Sequence, residues 1–261
     1  MQKVWLVCPD TRKESEQMPT FKEVKRMRQN VFRSFLLLAI VAAVAAASPV
    51  IGPGTWSSWP TVNNDGTPFW DRSSSDGAAC NVGFFLAGGF GNCSNLKNGT
   101  PASGLNLGGS NLEYFSDSND ITPFVLAAGQ WTFTLEGRIA GSNTFEVGYY
   151  YPLSPRPVPY LLFNQSNTAG DTATIMATGV FALYLSDNPH FFRSDANPLG
   201  VAAFRHTQLP NQFYFGFEDR PRGDWDMNDV VLSAHYVPEP GTYALIGAGL
   251  LGLGLLRRRL G

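Results

Sequence analysis

Residues Trp131-Thr132-Phe133-Thr134-Leu135-Glu136 alternate between large apolar and polar side chains. Successive side chains of an extended chain point to opposite faces, so this pattern predicts a β-strand with one buried face. Other extended candidates are separated by clusters of Gly, Pro, Ser, Asn and Thr, and no segment keeps a helical period. They are Phe124–Ala127, Trp131–Ile139, Thr144–Tyr151, Tyr160–Phe163, Thr172–Leu185, Gln212–Glu218 and Asp229–Val237. Many short strands between turns predict an all-β fold, an antiparallel and jelly-roll-like β-sandwich.

The segment from Ser48 to Gly109 precedes these strands and is rich in Gly, Asn, Ser and Trp. Within it only Val82–Ala87 is strand-like. Three tryptophans of the segment, Trp56, Trp59 and Trp70, allow two interpretations. Exposed indole rings could stack on sugar rings, whereas tryptophans under an irregular segment more often close the rim of a core.

Charge narrows the classes of partner for the central region, residues 48–237. Its 190 residues fit one domain and contain eight Lys and Arg against 16 Asp and Glu, a formal charge of −8. Lys97 is its single lysine. An acidic surface repels phosphate backbones, so we expect no nucleic-acid partner. The same surface suits divalent cations and a polysaccharide-rich exterior.

The cysteines indicate an oxidising compartment. Cys80 and Cys93 are the two cysteines of the central region, while Cys8 lies far upstream. Two cysteines in a domain predict a disulfide if that domain is exported, which the terminal segments below independently predict. Neither thiol has a His or Lys beside it in the sequence, which disfavours a catalytic cysteine.

An acidic run, Phe217-Glu218-Asp219-Arg-Pro-Arg-Gly223-Asp224-Trp-Asp226-Met-Asn228-Asp229, carries the richest chemistry of the chain. In an extended segment the alternating Asp224, Asp226 and Asn228 would project to one side. Converging oxygen donors of this kind are what Ca²⁺ requires. An EF-hand loop is excluded, because the sixth and twelfth positions counted from Asp224 are Asp and His instead of Gly and Glu.

This run resembles a Glu-Asp…Asp-x-Asp-x-Asn-Asp signature near the end of a β-rich domain family of bacterial surface proteins. The resemblance implies structural calcium binding. Arg220 and Arg222 offer a different interpretation, in which they pair with the acids at a solvated hairpin tip. The implied calcium ligands are Glu218, Asp219, Asp224, Asp226, Asn228 and Asp229. A second polar group could add outer ligands, form another site or be a loop, and comprises Glu113, Asp117, Asn119 and Asp120.

The C-terminal segment, residues 238–261, combines three elements in order. Pro238-Glu239-Pro240 is followed by an uncharged apolar run, Tyr243–Leu256, and by Arg257-Arg258-Arg259. It is similar to the PEP-CTERM sorting signal of Gram-negative bacteria, which implies recognition by an exosortase-type enzyme. The run of 14 residues is shorter than the roughly 20 of a full span. The arginines nevertheless fit the positive-inside rule, so we predict a transmembrane helix that anchors the protein to the inner membrane before processing.

The N-terminal segment predicts export. The apolar run Phe35–Ala47 follows Arg28 and Arg33 and ends in Ala45-Ala46-Ala47. A basic start, a short apolar stretch and a small-residue cleavage site are typical of a secretory signal. We therefore predict a signal peptide with a helical segment at residues 27–47, and residues 1–26 are interpreted as a start-site overhang or an extended n-region of that signal.

A second likeness supports the PEP-CTERM class. Proteins of this class often carry a stretch similar to Thr67-Pro-Phe-Trp-Asp71-Arg with Ser75-Asp76-Gly77 and Cys80 after it. That likeness implies membership of the class and indicates no activity.

Motifs for catalysis are missing from the sequence. It contains neither G-x-S-x-G nor H-E-x-x-H, and its three histidines are scattered. We therefore expect a non-enzymatic, calcium-stabilised structural or adhesive module at the cell surface, in an exopolysaccharide or biofilm matrix. A carbohydrate-binding or ice-binding module is the alternative, and an envelope glycoside hydrolase with two facing carboxylates is a more distant one.

Overall fold

The computed structural model describes residues 48–118, 120–139, 145–153, 158–187, 190–196, 200–220 and 223–237. The predicted signal peptide at 27–47 and the segment 1–26 lie outside these residues. So does the sorting segment 238–261, with Pro238, Glu239, Pro240 and the arginines 257–259. Within the described ranges, no helix is long and apolar enough to cross a membrane.

Thirteen strands account for most of the regular structure in the described ranges. A six-residue helix, α1 (Val82–Ala87), and a 3-10 turn (Gly109–Asn111) accompany them. The strands are β1 (Val50–Ile51), β2 (Thr55–Ser58), β3 (Leu112–Ser116), β4 (Val125–Leu126), β5 (Gly129–Arg138), β6 (Phe145–Tyr150), β7 (Tyr160–Asn164), β8 (Thr172–Ala177), β9 (Ala182–Asp187), β10 (His190–Arg193), β11 (Val201–His206), β12 (Gln212–Phe217) and β13 (Val230–Val237).

The strands form three sheets, and every pairing between them is antiparallel. The large sheet has the order β2-β3-β11-β12-β13-β5-β8, the small sheet has the order β10-β9-β6-β7, and β1 pairs with β4. The prediction of an antiparallel all-β fold is confirmed. Seven and four strands differ, however, from the eight-stranded arrangement of a jelly roll.

The main core lies between side chains of the large and small sheets. On β5 the apolar positions of the alternating stretch, Trp131, Phe133 and Leu135, have no exposed surface. They share one cluster with Phe145 of β6 and Leu183 of β9. A common core of this kind is the arrangement expected for two sheets packed face to face.

A second core covers the other face of the large sheet. Phe204 of β11 and Val231 of β13 belong to it, whereas their neighbours Ala203 and Leu232 belong to the main core. Since adjacent strand residues point to opposite faces, the large sheet is covered on both sides. The cover of the second face comes from the segment before β3, including Trp70.

Helix α1 corrects one prediction. Val82–Ala87 is a helix instead of a strand, because the side chain of Asn81 caps it by accepting a hydrogen bond from Phe84 N at 3.0 Å. Val82, Phe85 and Leu86 are buried. A short continuous apolar run does not distinguish a strand from a buried helix.

Strand boundaries differ from the predictions at two places. Thr172–Leu185 is divided into β8 and β9 around Gly179. The short or irregularly patterned strands β1, β2, β3, β10 and β11 were not predicted. On β11, Val201 to Phe204 are all buried, so the strand lacks the alternation that marks a half-exposed strand.

Cys80 and Cys93 form a disulfide, as predicted, with their Cα atoms 5.5 Å apart. The bridge joins two cysteines 13 positions apart in the chain, and the loop between them lies against the second core.

Replacing both cysteines, Cys80→Ser with Cys93→Ser, is expected to lower the free energy of unfolding by about 3 kcal/mol, because the short loop regains freedom in the unfolded chain. Chemical denaturation monitored by tryptophan fluorescence measures the change. Reduction of the unmutated protein is the control and should give a similar loss. Equal stability of the oxidised, reduced and double-variant proteins would contradict the prediction.

Candidate metal site

The acidic run forms the loop between β12 and β13, residues 218–229. Its backbone is irregular: Trp225 and Met227 have φ angles of 61° and 55°, in the left-handed region. The expectation that Asp224, Asp226 and Asn228 converge through extended alternation is therefore wrong. Met227 is fully buried in the second core, and this anchor fixes the local turns of the loop.

Two groups of carboxylates meet in the loop and share Glu218. Glu218, Asp224 and Asp226 each place one carboxylate oxygen within 4.8 Å of the others. Glu218, Asp219 and Asp229 do the same. Of these five acids, all except Asp224 are buried. The structure thus brings together the five predicted carboxylate ligands.

Backbone amides of the loop orient the central carboxylates. Glu218 accepts hydrogen bonds from Trp225 N at 2.8 Å and from Arg220 N at 3.2 Å. Asp229 accepts one from Asp219 N at 2.7 Å. A Cβ atom at Gly223 would collide with the Glu218 carboxylate. The loop backbone therefore wraps closely around Glu218.

Three side-chain oxygens of the acidic loop are buried without a hydrogen-bond partner. They are Asp219 Oδ2, Asp226 Oδ2 and Asn228 Oδ1. An unpaired buried oxygen is costly, and an unpaired buried carboxylate is more so. A bound cation would satisfy such oxygens, and hard oxygen donors match calcium or magnesium chemistry.

The pKa values of the cluster reflect burial. Burial, reinforced by the charge of Asp224, raises the pKa of Glu218 to about 7 and that of Asp226 to about 8. Burial also raises the pKa of Asp229 and of Asp219, the latter despite the opposing effect of Arg220. Without a cation, several of these groups hold protons near neutral pH, and a cation would displace them.

The alternative of arginine pairing receives little support. Arg220 Nε lies 3.6 Å from Asp219 Oδ1, but the Arg220 side chain is 66% exposed. Arg222 lies outside the described residues. A single exposed ion pair contributes little, and no described cation pairs with the buried Asp226 or Asp229.

One side of the site was not predicted from the sequence. Ser75, Asp76 and Asn95, from the irregular segment before β3, line a cavity of about 170 Å³ together with Glu218, Asp219, Asp224 and Asp229. The Asp76 carboxylate accepts a hydrogen bond from Asn95 Nδ2 at 2.9 Å, and its charge raises the pKa of Asp219. No spacing rule links Asp76 to an acidic run more than 140 positions later.

The disulfide loop is attached directly to the acidic loop. Val82 N donates to the Asp226 carbonyl at 2.8 Å, and the side-chain amide of Asn228 donates to the Cys80 carbonyl. Ser75 N donates to the Asp224 carboxylate. Asn228, predicted as a ligand, thus uses its amide nitrogen as a structural tie and keeps Oδ1 buried without a partner.

The second polar group is separate from both carboxylate groups. Glu113 pairs with Arg205, with 2.5 Å between Oε2 and Nη2. Asp117 and Asp120 form a bridge across a tight turn, and Asn119 lies outside the described residues. These contacts favour the polar-loop interpretation.

The three tryptophans do not form an exposed row. Trp70 has no exposed surface and stacks on Trp59 with ring centroids 4.4 Å apart. Trp56 is partly buried and packs on Phe115 at 5.2 Å. The suggestion that Trp70 stacks on sugars is wrong, because its indole ring is inside the second core.

Comparison with known families identifies the C-terminal segment. A family described as the PEP-CTERM protein-sorting motif matches residues 237–259. The match confirms the sorting prediction and indicates an exported surface protein that is sorted by an exosortase, anchored in the membrane and then processed. No curated protein and no solved structure is significantly similar to the chain.

Proposed function

We propose that the region 48–237 of this exported protein is a calcium-stabilised structural or adhesive module with no catalytic role. The observation that carries the proposal is the pair of buried carboxylate groups joined at Glu218, with orphaned oxygens on Asp219 and Asp226. The residues that would hold the ion are Glu218, Asp219, Asp224, Asp226 and Asp229, with Asn228 Oδ1 as a further oxygen.

The spacing of the oxygens fits calcium. Ca²⁺–oxygen distances of about 2.3–2.6 Å place opposite ligands roughly 4.6–5.2 Å apart. Carboxylate oxygens within 4.8 Å of one another can therefore share one ion. Mg²⁺ is usually held by one or two carboxylates together with several water molecules. A site in which five carboxylates meet therefore favours the larger ion, which accepts more protein oxygens.

The position of the site supports a structural role. Its ligands lie between the end of β12 and the start of β13, and Ser75 and Val82 donate hydrogen bonds to the same loop. An ion there would neutralise charges at a junction between the large sheet and the segment that covers its second face. The cation would then stabilise the fold instead of activating a substrate.

Enzyme alternatives find less support. Glycosidase carboxyl pairs are separated by about 5–10 Å across a substrate cleft. The acids of this site lie within 4.8 Å and are mostly buried.

The proposed association with an extracellular matrix rests on the sorting motif, which directs proteins to the surface, and on the acidic composition of the domain.

A carbohydrate-binding module is the alternative function, and it would need a binding surface other than the three tryptophans. Stacked tyrosines on the small sheet offer one, with Tyr149 and Tyr160 centroids 5.0 Å apart and Tyr160 44% exposed. A glycan array with the unmutated protein and Tyr160→Ala distinguishes binding at this surface from a passive structural role.

Calcium is expected to raise the midpoint of thermal unfolding of the full chain in detergent. At 100 times the dissociation constant the gain is about 2.7 kcal/mol. Asp226→Asn should reduce the calcium-dependent shift by more than half, because the neutral amide replaces a carboxylate ligand of similar shape. Differential scanning fluorimetry with calcium or chelator measures both.

The matched control is Asp117→Asn, which removes one carboxylate charge in the second polar group and should keep the full shift. Magnesium at equal concentration should give a smaller shift. The proposal would be overturned by a protein whose unfolding midpoint is the same with saturating calcium and with chelator.

A further inference from the structure

A cationic cavity lies at the C-terminal end of β5, apart from the acidic loop. It has a volume of about 310 Å³ and is lined by Lys97, Asn98, Arg138, Gln165, Ser166 and Thr168, among others. Among the described residues that line it, Lys97 and Arg138 are the charged ones. In a region with twice as many acids as bases, a described lining with two cations and no carboxylate is unusual.

Arg138 is buried, with 6% of its surface exposed, and it forms no ion pair with any described carboxylate. Its Nη1 donates to the backbone carbonyls of Gln165 at 3.2 Å and Asn167 at 3.4 Å, and its Nε is buried without a partner. The guanidinium carbon lies 4.1 Å from the centroid of the Phe145 ring. These contacts hold the cation in place but supply no negative charge.

A buried cation without a neighbouring negative charge destabilises the fold. Burial also lowers the pKa of the Arg138 guanidinium. A guanidinium nonetheless stays charged in proteins. The cost falls if an anion enters the cavity beside it. The single lysine of the region, Lys97, stands in the same lining and would add a second positive charge.

Backbone hydrogen bonds hold three segments of the cavity lining together. Lys97 N donates to the Arg138 carbonyl at 3.1 Å, and Arg138 N donates to Thr100 Oγ1 at 3.1 Å. On the opposite side, Ala169 N donates to the Asn98 carbonyl at 3.3 Å. The loop 96–100, the end of β5 and the turn after β7 are therefore fixed relative to one another.

We propose that this cavity binds an oxyanion, the carboxylate or sulfate group of an acidic ligand, through Arg138 and Lys97. Arginine recognises such groups with charge-assisted hydrogen bonds, and the surrounding amide and hydroxyl side chains suit the polar atoms next to the anionic group. Because a liquid water molecule occupies about 30 Å³, the cavity has room for an anion with part of an attached sugar ring. An acidic sugar residue is one source of this chemistry, and a free inorganic ion is the other.

The test is thermal unfolding of the full chain in detergent with sodium sulfate, sodium glucuronate or glucose, each with sodium chloride added to equal ionic strength. The unmutated protein should gain about 3–5 °C in the oxyanion at ten times its dissociation constant, and glucose should give no gain. A gain with glucuronate at lower concentration than with sulfate would identify the sugar acid, and the reverse order the inorganic ion.

Variants separate site binding from the general stabilising effect of sulfate. Arg138→Met should lose the oxyanion-specific gain while keeping or increasing the stability measured in chloride, because it removes a buried charge. Lys97→Met, on a partly exposed side chain, should weaken oxyanion binding several-fold without affecting the fold. Arg72→Met, which replaces an exposed arginine outside the cavity, is the control and should behave as the unmutated protein. Equal oxyanion gains in the unmutated protein, Arg138→Met and Lys97→Met would overturn the proposal.

Discussion

In calcium-free buffer the free energy of unfolding is expected to fall as the pH rises from about 4 to about 8. Glu218, Asp226 and Asp229 are buried, and burial raises the pKa of Glu218 to about 7 and that of Asp226 to about 8. The same groups titrate near pH 4 in the unfolded chain. Each unit of pKa difference corresponds to about 1.4 kcal/mol, so the total loss amounts to several kcal/mol.

The free energy of unfolding falls with pH because the folded and unfolded states bind different numbers of protons. Below pH 4 the groups are protonated in both states and favour neither. Between pH 4 and the raised pKa values, the unfolded chain releases protons that the folded chain retains. Rising pH therefore lowers the free energy of the unfolded state relative to the folded state, and the free energy of unfolding declines. The contribution of Glu218 and Asp226 to this decline ends once the pH has passed their raised pKa values, because both states have then released those two protons.

Calcium should reverse this dependence. The ion binds the ionised carboxylates, so protons compete with it and its stabilising effect grows as the pH rises. Urea unfolding at several pH values, with calcium or chelator, measures the two curves. If stability changed with pH in the same way with calcium and with chelator, the buried carboxylates would not be calcium ligands.

Asp226→Asn provides the internal check. The amide does not titrate, so the calcium-free decline should become shallower, and the variant should equal or exceed the unmutated protein in stability at pH 8 without calcium. Asp117→Asn should leave the decline unchanged.

Trp70→Ala is expected to lower the free energy of unfolding by about 3–5 kcal/mol. Trp70 has no exposed surface, and its ring contacts Trp59, Tyr114 and Phe204 with centroids 4.4, 5.7 and 5.5 Å away. Removing it leaves a large cavity in the second core, where the surrounding strands cannot close the space. Chemical denaturation monitored by circular dichroism measures the loss.

The matched control is Met176→Ala on β8, a side chain that is 61% exposed. Its truncation should change stability by no more than about 0.5 kcal/mol. If Trp70→Ala proved as stable as Met176→Ala, the second core would not contribute to the stability of the fold.

The alternation of β5 was enough to predict its inward face, because a strand with one apolar face has only one way to bury it. Trp131, Phe133 and Leu135 are all buried as expected. The hydrophobic pattern also predicted strand β13, but it did not indicate that other parts of the protein pack against both faces of that strand. Val230, Val231 and Leu232 are all buried, and a continuous apolar run contains no information on what packs against either side.

Local sequence also misled in two places for identifiable reasons. Val82–Ala87 had the composition of a strand, but the cap at Asn81 and the packing of Phe85 in the second core make it helical. The acidic loop was expected to be extended, but Met227 is held in the second core with a φ angle of 55°. Packing in the second core overrode the local hydrophobic pattern in both cases, and at Val82–Ala87 the local cap at Asn81 acted in the same direction.

The sequence by itself determined the sorting motif, the disulfide partners and the identity of the five clustered carboxylates. Each of these depends on residue type and order within a short stretch or on a count of two cysteines. Only the tertiary structure decided that Glu218 joins two carboxylate groups, that Asp76 faces them, and that Arg138 and Lys97 share a cavity. These contacts join positions far apart in the chain, and the reason is physical: strand pairing and the two cores set which loops meet, and no local pattern encodes those distances.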